Sequence, residues 1–130
     1  MNIPKIIIAD DEDGLRQTLN KFISERLHCE LYEASNGYEA LTHLKENGCD
    51  LMLLDYKMPG ISGLEVLKEA KKIVPDVIVF VITKWDSAEV SKEIQDLGAE
   101  YIPKPLALKL LMAKIQEKLK AINKYHPVVP

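Results

Sequence analysis

Five short apolar runs, each followed by an amphipathic stretch, constrain this chain more than any other feature of its sequence. The runs are Lys5 to Ala9, Glu30 to Ala34, Leu51 to Leu54, Val77 to Thr83 and Ala99 to Ile102. They are too short for helices and rich in branched residues, as strands are. Between them the period changes. Leu15, Leu19, Phe22, Ile23 and Leu27 recur at helical spacing, and Tyr38 to Asn47 reads as a short helix stopped by Gly48. Leu64 to Ile73 carries Leu64, Val66, Leu67, Ala70 and Ile73. A fourth helix, capped by Asp86 or Ser87, runs to Leu97 and ends at Gly98; a fifth spans Leu106 to Asn123. Strands alternating with helices across short loops predict an α/β domain, with a parallel sheet between helix layers. The run before Asp55 is apolar without alternation, as expected of a strand covered on both faces.

A chain of 130 residues fits one domain. Residues 1–124 are assigned to it, and 125–130 to a short tail that Pro127 keeps non-helical. A net charge of -3 gives no basic stripe, so direct nucleic-acid binding is not expected. The opening residues hold only a short apolar run before four acids, too short for a signal core or a membrane span. Cys29 and Cys49 form no CxxC and read as inert reduced thiols. A cytoplasmic protein is the expectation. His28, His43 and His126 are scattered and are read as surface residues. In the last helix Leu108, Leu111, Ile115, Leu119 and Ile122 form the expected core stripe. Leu106, Leu110 and Ala113 lie beside it, as a second stripe for a partner or as part of a deep core.

Chemistry concentrates at the carboxyl ends of the predicted strands, where open parallel sheets bind ligands. Asp10 and Asp11 follow the first strand, Asp55 the third, Thr83 the fourth, and Lys104 lies just beyond the fifth. Asp55 alone would read as a turn or N-cap aspartate. With the others it forms a cluster on one edge, because parallel strands all point one way. Carboxylates this close repel unless a cation lies among them. Oxygen ligands without His or Cys favour Mg²⁺, or Mn²⁺ in its place. A carboxylate can then act as nucleophile toward phosphorus, with Lys104 and the cation offsetting charge and Thr83 donating a hydrogen bond.

These residues resemble the receiver domain of two-component response regulators. The likeness rests on Ala9-Asp10-Asp11, on Leu54-Asp55-Tyr56-Lys57-Met58-Pro59-Gly60 with Gly63 following, on Thr83, and on Gly98-Ala99-Glu100-Tyr101-Ile102-Pro103-Lys104-Pro105. It covers essentially the whole chain in the expected order. The resemblance implies a flavodoxin-like sheet of order 2-1-3-4-5. It implies that Asp55 is the phosphoacceptor, charged by a sensor histidine kinase or a phosphotransfer protein. Asp10, Asp11, Asp55 and the backbone carbonyl of Lys57 would hold Mg²⁺. Lys104 would pair with the phosphoryl oxygens, ahead of a cis bond to Pro105. Thr83 and Tyr101 would form a switch that reshapes the face of the fourth helix, fifth strand and fifth helix, for an effector, an output domain or a homodimer. Catalysis would extend only to the protein's own phosphoryl uptake and slow self-dephosphorylation.

The residue after Thr83 is usually small in that family, but here it is Lys84, followed by Trp85. A long cation there would limit access to Asp55 or would itself contact the phosphoryl group. Pro103 stiffens the loop before Lys104. Other acidic motifs fit less well. Asp11-Glu12-Asp13-Gly14 resembles the DxDGT motif of haloacid-dehalogenase-type phosphatases, yet Leu15 replaces the Thr. An EF-hand register puts Ala9 first and Asn20 where Glu belongs. A flavodoxin would want a phosphate loop where this chain has four acids.

Overall fold

The computed structural model describes residues 2–84 and 87–129, so Trp85 and Asp86 lie outside the described residues. Strands and helices alternate along the chain: β1 (Lys5–Ala9), α1 (Asp13–Ser24), β2 (Glu30–Ala34), α2 (Gly37–Asn47), β3 (Leu51–Asp55), α3 (Gly63–Ile73), β4 (Ile78–Thr83), α4 (Ala88–Asp96), β5 (Glu100–Pro103) and α5 (Leu108–Ala121). The sheet's strand pairs are parallel, in the order β2-β1-β3-β4-β5. This is the expected order, with β3 between β1 and β4.

Strand alternation divides the core into two layers. Ile7, Met52, Leu54, Val79 and Val81 face a layer built with Ala40, Leu44, Val66, Leu67 and Ile94 of α2, α3 and α4. Ile6, Ile8, Leu51, Leu53, Phe80 and Ile82 face Leu19 and Ile23 of α1 and Leu111, Ile115 and Leu119 of α5. β3 is buried from end to end, which explains why its sequence shows no polar alternation.

Side-chain caps fix three helix starts. Asn36 accepts from the Glu39 N–H at 2.8 Å, Ser62 from Glu65 at 3.3 Å and Ser87 from Val90 at 3.1 Å. Ser87, one of the two caps considered for α4, is in place.

The structure corrects several expectations. Leu27 does not extend α1; it is buried in an antiparallel bridge to Pro127. The tail is non-helical as expected but pinned to the body. The His28 N–H donates to the His126 carbonyl at 2.8 Å, and the Val128 N–H to the Arg26 carbonyl at 2.8 Å. His126 is half-buried, with Nε2 2.9 Å from the Asn2 carbonyl. His43 is also half-buried, with Nε2 3.0 Å from the Glu33 carbonyl, so neither is a plain surface residue. On α5 the buried stripe takes in Met112, while Leu108 is half-buried and Ile122 is at the surface. Leu110 (57% exposed) and Ala113 face outward, whereas Leu106 packs against the α1–α5 layer. The helix ends before Asn123, whose φ of 59° reverses the chain, a conformation Asn tolerates.

Candidate functional site

The parallel registers bring the strand ends into line. Ala9 pairs with Leu54 and Asp55 with Ile82, so Asp10, Asp55 and Thr83 emerge together. A cavity of about 720 Å³ opens there, lined by Asp10, Asp11, Glu12, Asp55, Lys57, Thr83, Lys84 and Lys104. The structure thus brings Asp10, Asp11, Asp55, Thr83 and Lys104 to one place, as the strand-end argument expected, and sets Lys57, which only the resemblance implied, in the same wall. Tyr101 is not in this wall. It is half-buried on β5 beside Val81, packed against the α4-side core.

Local hydrogen bonds hold each acid. The Asp10 N–H donates to the Ala34 carbonyl at 3.0 Å. Its Oδ1 accepts from the Glu12 N–H at 2.8 Å. Asp55 ends β3 and accepts Lys104 Nζ on Oδ1 at 3.3 Å, with both side chains largely buried. Lys104 owes its place to β5, which its own N–H continues by donating to the Thr83 carbonyl at 2.9 Å. The Lys104–Pro105 peptide is cis, as the resemblance implied. Beneath Asp55, the Gly63 N–H donates to the Tyr56 carbonyl at 2.9 Å. A Cβ on Gly63 would lie 2.5 Å from the Asp55 carbonyl oxygen, so only glycine lets α3 start this close to the acceptor strand.

Asp10, Asp55 and Thr83 are buried polar groups. Burial pushes the Asp10 carboxyl above its ordinary range against the Glu12 N–H, and the charges of Asp55 and Asp11 push the same way. Burial also raises Asp55, while Lys104 draws it down. One ligand oxygen from each of Asp10, Asp11 and Asp55 lies within 4.8 Å of the others. The three carboxylates, with the Lys104 ammonium against Asp55, make an oxygen-only donor set, and a divalent cation fits it.

Asp13, which the phosphatase-like motif would need, is 75% exposed and pairs with Arg16. Sequence reasoning missed Glu12, whose backbone fixes Asp10, and gave no part to Arg16. Its i,i+3 spacing from Asp13 was the available signal. Cys29 and Cys49 are both free, and burial pushes their thiols up to about 11 and about 12, as inert cysteines should be. Among the described residues no helix is long and apolar enough to cross a membrane.

Comparison with known proteins gives the same picture. The model of the response regulator receiver domain family matches residues 6–116. The chain is 34% identical over 125 residues to sporulation initiation phosphotransferase F of Bacillus subtilis, covering 95% of this chain and 94% of that one. It is 34% identical to the response regulator MprA of a Mycobacterium species, where 89% of this chain spans only 50% of the relative's length. Among solved structures, a CheY-like receiver domain protein from Methanospirillum hungatei superposes with a TM-score of 0.86 at 30% identity, covering 94% of this chain and 98% of that one.

Proposed function

The chain belongs to the response regulator receiver domain family, and from that premise we propose that Asp55 takes a phosphoryl group from a phosphohistidine on a sensor histidine kinase or phosphotransfer protein. A carboxylate oxygen of Asp55 attacks phosphorus, the P–N bond breaks, and the imidazole leaves with the bonding pair and takes up a proton. Hydrolysis later returns the carboxylate and inorganic phosphate. The observation that carries this reading is the convergence of Asp10, Asp11 and Asp55 within 4.8 Å, with Lys104 on the central acid. A bound Mg²⁺ supplies positive charge for the equatorial phosphoryl oxygens. Asp10, Asp11, Asp55 and the Lys57 carbonyl are its proposed ligands. Lys104 holds a phosphoryl oxygen in the place where it now holds Asp55, and Thr83 donates a hydrogen bond.

Thr83 and Tyr101 are the proposed switch, reshaping the α4–β5–α5 face toward an effector, an output domain or a second copy. Alternation supports the pairing, since both residues point to the α4 side of adjacent strands. The relative from Bacillus subtilis is named a phosphotransferase and matches this chain nearly end to end, which supports a place in a phosphorelay.

The test is phosphoryl incorporation from a small-molecule donor with Mg²⁺, and beryllofluoride binding. One phosphoryl group per chain is expected, lost in Asp55→Asn and retained in Asp13→Asn. Incorporation by Asp55→Asn, or turnover of a phosphate ester that depends on Asp13, would overturn the reading.

A further inference from the structure

The Arg16 side chain makes three hydrogen bonds, and one reaches the backbone of the acid loop. It lies on α1 and is only 12% exposed. Nη1 donates to the Asp10 carbonyl at 2.8 Å, Nε to Glu33 Oε1 at 2.9 Å, and Nη2 to Asp13 Oδ1 at 2.7 Å. We propose that Arg16 is a positioning residue for the divalent-cation site, tying the peptide that follows Asp10 to Glu33 of β2 so that Asp10 and Asp11 meet the ion at fixed positions. This rests on the reading that the acid cluster holds Mg²⁺.

The need for such a tie follows from where the sheet stops. The Asp10 N–H still bonds to Ala34 of β2, but beyond Asp10 the chain leaves the sheet. The Asp10 carbonyl begins the peptide that carries Asp11, which is exposed. Nothing in the strand ladder fixes that peptide, and Arg16 does so instead. The anchor at the other end is firm. Glu33 accepts Arg16 on one oxygen and Asn20 Nδ2 on the other at 2.9 Å, while its own carbonyl lies 3.0 Å from His43 Nε2. One planar fork therefore joins the Asp10 carbonyl, β2 and the start of α1, a geometry open to guanidinium and closed to an ammonium.

Position and charge make opposite predictions here. A bare cation beside a Mg²⁺ site repels the ion, so deleting it would tighten binding. Arg16, however, is offset by Asp13 and Glu33, and what remains is its hold on the loop. Removing groups that orient metal ligands weakens metal binding by about 10–100-fold. Arg16→Gln and Arg16→Lys are therefore both expected to weaken Mg²⁺ binding about tenfold or more, although only the first changes the charge.

The experiment is calorimetric titration of the intact chain with Mg²⁺, with folding followed by circular dichroism in EDTA. Comparable weakening in both folded variants supports the tie. Tighter binding in Arg16→Gln with native affinity in Arg16→Lys makes Arg16 a charge alone and overturns it. Native affinity in both variants also overturns it, as does loss of folding in both, which would make Arg16 a general stabiliser. If the native chain binds no Mg²⁺, the cation reading itself fails, and this inference fails with it.

Discussion

Replacing Asp10 with Asn is expected to stabilise the metal-free protein. The two side chains have nearly the same shape, and Asn Oδ1 can still accept from the Glu12 N–H as Asp10 does at 2.8 Å. What changes is charge. Asp10 is 2% exposed, and its ligand oxygen lies no more than 4.8 Å from those of Asp11 and Asp55. At that distance, and at an effective dielectric near 20, two carboxylates repel by about 3.5 kcal/mol. Asp11 is exposed, so solvent cuts its share sharply, and the lost attraction to Lys104 subtracts more. A net gain of about 2 kcal/mol near neutral pH remains, roughly 8 °C in Tm for a domain of this length. The pH dependence has a definite sign. The folded pKa of Asp10 lies above the ordinary value of 3.8, so the penalty is full at pH above that raised value. It fades as pH falls through that raised value and is gone below 3.8, where both states bind the proton. The variant's advantage in EDTA should therefore shrink on acidification. With Mg²⁺ held by the acids as proposed, saturating Mg²⁺ should narrow or reverse it, because the ion would stabilise the native chain by mass action more than the variant. Urea unfolding followed by circular dichroism, with and without Mg²⁺, reads both effects. A variant less stable than the native chain in EDTA near neutral pH would refute the claim that these acids are in electrostatic conflict.

Lys104→Met removes the ammonium 3.3 Å from a buried acid and should cost about 1–3 kcal/mol near neutral pH, the penalty of leaving a buried group without its partner. Because the folded pKa of Asp55 then rises further, that loss should be recovered as pH is lowered, and urea unfolding across pH would show a flat difference if the pair did not matter. Gly63→Ala places a methyl group against the backbone of Asp55 and Tyr56, so a loss of about 1–3 kcal/mol is expected, together with slower phosphoryl uptake. An unchanged melting temperature would mean that α3 can retreat freely. Tyr125 is half-buried against the α1–α5 layer, with Lys120 Nζ 5.0 Å from its ring centroid, so Tyr125→Ala should cost about 1–2 kcal/mol in the same assay. Silence there would show that the tail adds nothing to the fold.

Near-neighbour chemistry makes much of this molecule readable from its residues alone. Gly48 closes the helix that begins after Asn36, and Ser87 caps the one that runs to Asp96. These are local signals, since each involves atoms a few residues apart. The site is legible for a related reason. In a parallel sheet the position of a residue in its own strand fixes the edge it reaches, so Asp10, Asp55, Thr83 and Lys104 can be gathered without knowing a single contact.

Where two distant segments choose each other, the sequence is silent. Leu27 fits the helical period of α1 as well as it fits its place against Pro127, and only the pairing of the tail decides between them. Leu110 and Leu111 are equally apolar neighbours, yet one is at the surface and the other buried, because β1, β3 and β4 fix which side of α5 meets the sheet. Arg16 reads as an ordinary helix-surface cation until the fold sets Glu33 and the Asp10 carbonyl within its reach. Periodicity tells which residues share a face, since that depends on backbone geometry alone. What covers that face, and how closely, is set by packing between segments far apart in the chain, and there the tertiary structure decided.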